Sequence, residues 1–106
     1  MSVAEFRQAI IASVQRSLPQ AKLVIEERRG VELHLRAEID DITFVGVYYS
    51  SLTEKKNFAL IRSNNRIFGY DNSRFWHCHP VEHIPCAEPS PDQVFLEISK
   101  IINQKS

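Results

Sequence analysis

Val31–Ile39 reads VELHLRAEI. Val31, Leu33, Leu35, Ala37 and Ile39 fall on one side of an extended chain, and Glu32, His34, Arg36 and Glu38 on the other. That strict period of two is the signature of an antiparallel strand with one buried and one solvated face. The neighbours extend the pattern. Asp40-Asp41 turns the chain, and Ile42 to Tyr49 follows as a third strand, apolar on both faces and therefore expected at the centre of the sheet. Gly46 inside it marks a bulge or a close backbone approach. Before the quoted stretch, Ala21 to Arg28 is rich in branched apolar residues and ends at the turn signal Arg29-Gly30. After it, Ser50 to Lys56 is a polar loop. Asn57–Arg62 and Arg66–Tyr70 form a hairpin across Ser63-Asn64-Asn65, because asparagine tolerates the left-handed backbone of tight turns.

Helices close both ends. Val3, Phe6, Ile10, Val14 and Leu18 recur at helical spacing, Ser2 and Glu5 match a capping box, and Pro19 stops the helix. Ser90-Pro91-Asp92-Gln93 opens a second helix with Ser90 as cap, Pro91 in the first turn and Gln93 completing a capping box. Val94, Phe95, Ile98, Ile101 and Ile102 form its apolar face. The expected architecture is α+β: an antiparallel sheet of about five strands with the N- and C-terminal helices packed on one face.

A chain of 106 residues is expected to form a single domain, 1–106, burying roughly two thirds of its unfolded surface. Thirteen Lys and Arg balance thirteen Asp and Glu, which argues against a protein living on non-specific phosphate contacts. The charge is uneven, however: between Glu54 and Arg74, five cations (Lys55, Lys56, Arg62, Arg66, Arg74) face two acids. No apolar run is long enough to cross a bilayer and the N-terminus lacks a signal peptide's pattern, so the expected address is cytoplasmic with no membrane partner. Two cysteines, Cys78 and Cys86, fit a reducing compartment.

Candidate chemistry concentrates between Arg66 and Cys86, which holds three of the four histidines, both cysteines and the only tryptophan. Tyr70-Asp71-Asn72 at a strand end, the group His77-Cys78-His79-Pro80 with His83, and Glu88-Pro89-Ser90-Pro91 before an apolar helix together resemble the TumE family. These are small prokaryotic proteins classed as toxin components of toxin–antitoxin pairs. In this chain Ser73-Arg74-Phe75-Trp76 stands between Tyr-Asp-Asn and the histidines, which family members place almost directly after it. The resemblance implies a small antitoxin partner carrying a helix-turn-helix; a homodimer stays open.

Three readings of the residues stand side by side. In the first, the chain acts on RNA as a ribonuclease. Tyr70, Asp71, His77, His79 and His83 are the catalytic candidates, with histidines as acid and base and Tyr70 and Asp71 as positioning groups. Arg66, Asn72, Arg74 and Trp76 are the substrate-binding candidates, Arg74 clamping phosphate and Trp76 stacking on an unpaired base. Asp71 and Asn72 have a plainer role open to them, shaping the chain as it leaves the strand through side chain–backbone hydrogen bonds. Phe75 and Trp76 are as readily small-core residues beneath a loop. In the second reading His77, Cys78, His79, His83 and Cys86 hold a metal, although no Cys-x-x-Cys pair is present and no cofactor is expected. In the third, the domain is a non-catalytic module that holds a partner chain. His34 is expected to be an exposed residue of its strand.

Overall fold

The computed structural model describes residues 1–72 and 88–103, together with the backbone of 77–78 and 84–85. Helix α1 spans Val3–Ser17, and strands β1 to β5 span Lys22–Arg28, Glu32–Asp40, Thr43–Ser50, Lys56–Arg62 and Asn65–Asp71. Two-residue strands β6 (His77–Cys78) and β7 (Ile84–Pro85) follow, and helix α2 spans Pro91–Asn103. All seven strands pair antiparallel with their sequence neighbours in the order β1 to β7. The fold is therefore an α+β meander of five long strands plus a two-strand extension. The segment from Asp71 to Pro89, expected as a loop, contributes that extension: backbone pairing carries the sheet past Tyr70-Asp71.

Side-chain alternation decides which face the helices cover. Leu33, Leu35 and Ala37 of β2 oppose Tyr49, Val47 and Val45 of β3, which continue to Phe58 and Leu60 of β4 and to Tyr70 and Phe68 of β5. All ten are buried in one cluster with Val3, Phe6, Ile10 and Val14 of α1 and Val94, Phe95 and Ile98 of α2. The helices lean on each other there, α1 also touching β2 and β3 and α2 touching β5. Aromatic rings knit the layers. Phe6 stacks on Tyr49 at 4.5 Å and Phe58 meets Phe95 edge-on at 6.4 Å.

Local signals close the ends as the sequence indicates. Ser2 and Glu5 form both halves of a capping box, and Ser90 Oγ accepts the Gln93 N–H at 3.1 Å. Asp92, beside that cap, accepts Ser13 Oγ–H at 2.7 Å and Arg16 at 2.6 Å, which ties α2 to α1. Those two contacts, Ser13's first, lower the Asp92 carboxyl below its ordinary range. The β4–β5 hairpin turns on Ser63 and Asn64, both left-handed at φ 50° and 67°. Bulges fall at Ile39, the residue skipped between Glu38 and Asp40, and at Ile67, opposite Leu60/Ile61. Gly46, in contrast, sits in unbroken register, so it marks no bulge.

Candidate functional site on the open sheet face

One transverse row crosses the uncovered face of the sheet. Register sets Glu26 beside His34, His34 beside Tyr48, Tyr48 beside Asn57, Asn57 beside Asp71, and Asp71 beside His77. The adjoining row runs Val24, Arg36, Gly46, Ala59 and Gly69. Its small central residues leave a groove of about 400 Å³. Phe44 and Ile61 stand on one side of that groove, His34, Tyr48 and Asn57 on the other.

At the β5 end of these rows lies the first cluster of sequence-derived candidates. Arg66 reaches over Gly69: a Cβ built on that glycine would meet Arg66 Nη2 at 2.7 Å and the Phe58 carbonyl oxygen at 2.3 Å. Glycine is thus required there by close approach. From that seat Arg66 Nη2 lies 3.7 Å from Asp71 Oδ2 and 3.5 Å from Asn57 Oδ1. Asp71 itself is 8% exposed. The backbone of His77 is paired directly with Asp71. Arg66, Asp71 and His77 are therefore brought to one edge of the sheet by β5 and β6.

Tyr70 does not join them. Adjacent strand residues point to opposite faces, so Tyr70 enters the helix-covered side while Asp71 lies on the other. It is 6% exposed, packs edge-on against Phe68 at 5.5 Å, and donates its hydroxyl to Glu97 of α2 at 2.5 Å. Burial first, then the hydrogen bond and charge of Glu97, pushes its phenol up to about 12. Asn72 is engaged with the chain itself. Its Oδ1 accepts the Lys56 N–H at 2.7 Å and its Nδ2 donates to the Glu54 carbonyl at 2.9 Å. This is the strand-exit role that the sequence leaves open for Asn72. Arg74, Trp76, His79 and His83 lie outside the described residues, as do Phe75 and Cys86, and His77 and Cys78 are described in backbone only. Of the five metal-ligand candidates, none has a described side chain. Among the described residues, no group of three His, Cys, Asp or Glu could hold a metal.

The groove itself is built from residues that sequence reasoning passed over. Arg36 lies flat on Phe44, 3.8 Å from the ring centroid, and is also 3.3 Å from Glu38. His34, expected to be simply exposed, meets Tyr48 edge-on at 5.0 Å, and its Nε2 is buried without a hydrogen-bond partner, 3.7 Å from Glu32. Tyr48 donates its hydroxyl to Glu32 at 3.2 Å. Arg28 donates to Glu26 at 2.8 Å, and that hydrogen bond lowers the Glu26 carboxyl below its ordinary range. A signal for this face was present in the third strand: Phe44, Gly46 and Tyr48 alternate with the core residues Val45, Val47 and Tyr49. An aromatic second face reads equally well as a buried one, which is why the strand looks apolar on both sides.

Fold and site together define a small helix-backed antiparallel sheet with an open, aromatic-lined face. Compared with protein-family models, with curated proteins and with solved structures, the chain matches none. Among the described residues, no helix is long and apolar enough to cross a membrane.

Proposed function

We propose that this protein is the toxin of a toxin–antitoxin pair, neutralised by a helix-turn-helix antitoxin as its resemblance to the TumE family implies, and that its residues act on RNA as a ribonuclease. The observation that carries this reading is the pairing of Asp71 with His77 across β5 and β6, with the Arg66 guanidinium 3.7 Å from Asp71. Cleavage by the neighbouring 2′-hydroxyl needs those group types. A base removes the 2′ proton, and the freed oxygen bonds to phosphorus. The bond from phosphorus to the 5′-oxygen breaks, and an acid returns a proton to that oxygen. His77, with His79 and His83, supplies base and acid; Asp71 orients a histidine; Arg66 and Arg74 stabilise the charge on phosphate. Tyr70 acts at a distance, holding β5 to α2 through Glu97.

Expression of the protein alone in a bacterium tests this directly. Growth arrest with RNA fragments ending in 2′,3′-cyclic phosphate, relieved by Asp71→Asn and by His77→Ala, is the expected result. Normal growth with intact RNA defeats the reading.

A second reading, a binding module without chemistry, is favoured by one specific observation. The guanidiniums flanking the open face already have acidic neighbours: Arg28 with Glu26, Arg36 with Glu38, Arg66 with Asp71. Such pairing blunts attraction for a polyanion. This reading forecasts a tight partner complex and no nuclease activity at any pH.

A further inference from the structure

We infer that the groove on the open sheet face is a recognition pocket for one unpaired nucleobase of a single-stranded RNA. The inference rests on the RNA reading for its substrate class, and on the groove's own geometry for everything else. Its volume, about 400 Å³, falls among small-ligand sites, which run from roughly 300 to 1,000 Å³. Its floor is flat because Gly46 and Ala59, paired across β3 and β4, raise almost no side chain. Rings flank that floor: Phe44 on one side of Gly46's row, and Tyr48 and His34 on the other. A planar ring laid on such a floor gains stacking from these rings, and every base has such a π-face.

The polar groups favour a neutral ring over a phosphate. Arg36 is committed to the face of Phe44 and to Glu38, and Arg28 to Glu26. The carboxylates of the Tyr48 row are held too, Glu26 by Arg28 and Asp71 by Arg66, and between them stand the hydrogen-bonding side chains of His34 and Asn57. Asn57 carries an amide, the group type that pairs with a base edge, its Oδ1 accepting a long bond of 3.5 Å from Arg66. His34 presents an imidazole nitrogen that is buried and unpartnered. A buried polar atom without a partner is costly, and a ligand that bonds it recovers that cost. A purely aliphatic ligand would leave the His34 nitrogen without a hydrogen bond.

Position supports the same occupant. Tyr48 and Asp71 share one row and stand two strands apart, hence about 10 Å. A base seated at Tyr48 and Asn57 thus carries its strand's backbone toward the Arg66–Asp71–His77 edge. The pocket would then select the nucleotide beside the bond that is cut.

The test uses the full-length protein and 2′-deoxy tetranucleotides of uniform sequence, one for each base. These lack the attacking hydroxyl, so binding is read apart from cleavage. Amide and side-chain NMR shifts should map at least one of them to Phe44, Gly46, Tyr48 and Asn57. Gly46→Val fills the floor, and the space for its first carbon is present, since the nearest atom to a built Cβ is Phe44 Cε2 at 3.7 Å. Tyr48→Leu keeps an apolar side chain but removes the ring. Each variant should weaken binding roughly tenfold, Tyr48→Leu through one lost stacking platform and Gly46→Val by occupying the floor, while melting cooperatively like the parent. The inference is overturned if no tetranucleotide shifts these residues, or if both folded variants bind as tightly as the parent. Dimerisation that Gly46→Val abolishes, with no effect on oligonucleotides, would overturn it too and give the face to a second copy of the chain. Intact cellular RNA alongside groove binding would remove the ribonuclease reading and leave the pocket standing.

Discussion

The two faces of this sheet carry similar numbers of aromatic rings and treat them differently. On the helix-covered face Tyr49, Phe58, Phe68 and Tyr70 are nearly excluded from water, and both tyrosine hydroxyls find fixed acceptors, the Met1 carbonyl and Glu97. On the open face Phe44, Tyr48 and His34 are only half-buried, the floor between them is glycine and alanine, and one imidazole nitrogen lacks a partner. A core closes its polar groups and fills its volume. The open face keeps a gap and an imidazole nitrogen without a hydrogen bond, the two features on which the proposed base pocket rests.

The sharpest way to break this contrast is truncation. Phe58 is 1% exposed and touches rings from both helices. Phe58→Ala should cost about 3–5 kcal/mol in a urea titration. Phe44→Ala on the open face should cost about 1 kcal/mol or less, mainly the lost contact with Arg36. Equal losses at the two positions would mean that the open face is structural core.

Glycine gives a finer comparison within one row. Gly69→Ala drives a Cβ against the Phe58 carbonyl and the Arg66 head, and should destabilise by about 1–3 kcal/mol while displacing Arg66 from Asp71. Gly46→Ala meets no such obstacle and should be neutral or stabilising by about 0.5 kcal/mol. Thermal melts of the two variants separate a glycine kept for backbone approach from one that only leaves space. If Gly46→Ala were as damaging as Gly69→Ala, its place as a groove floor would lose its support.

One expected effect is confined to alkaline pH. Tyr70 has its folded-state pKa raised to about 12 against an ordinary 10.0. Above pH 10 the unfolded chain releases this proton and the folded chain retains it, so the unfolded state binds fewer protons and stability falls as pH rises. The Tyr70 contribution is complete below pH 10 and is lost as pH climbs through about 12. Tyr70→Phe should flatten that part of the stability curve; an unchanged slope between pH 10 and 12 would show that burial and Glu97 together do not raise the phenol's pKa in the fold.

Much of the fold was legible in the sequence because its signals are local. Period-two alternation in VELHLRAEI, the capping box at Ser2 and Glu5, the Ser90-Pro91 helix start and the Ser63-Asn64 turn each act within a few residues, and each appears where the residues indicate. The candidate site was only partly legible. Asp71 and Arg66 were visible as residues, but Tyr70, their neighbour in sequence, is carried to the other side of the sheet by the strand's own pleat. His34, Phe44, Gly46, Tyr48 and Asn57 come from three separate strands and carry no motif.

The sequence by itself determined the five long strands, the two helices, their N-terminal caps and one hydrophobic face, since backbone conformation and amphipathic period are encoded by neighbours along the chain. Only the tertiary structure decided that the sheet runs on past Asp71 into two short strands and that the aromatic second face of β3 stays open. It also decided which side chains from distant strands meet there. Cross-strand register and layer packing set those contacts, and both depend on the fit of whole elements.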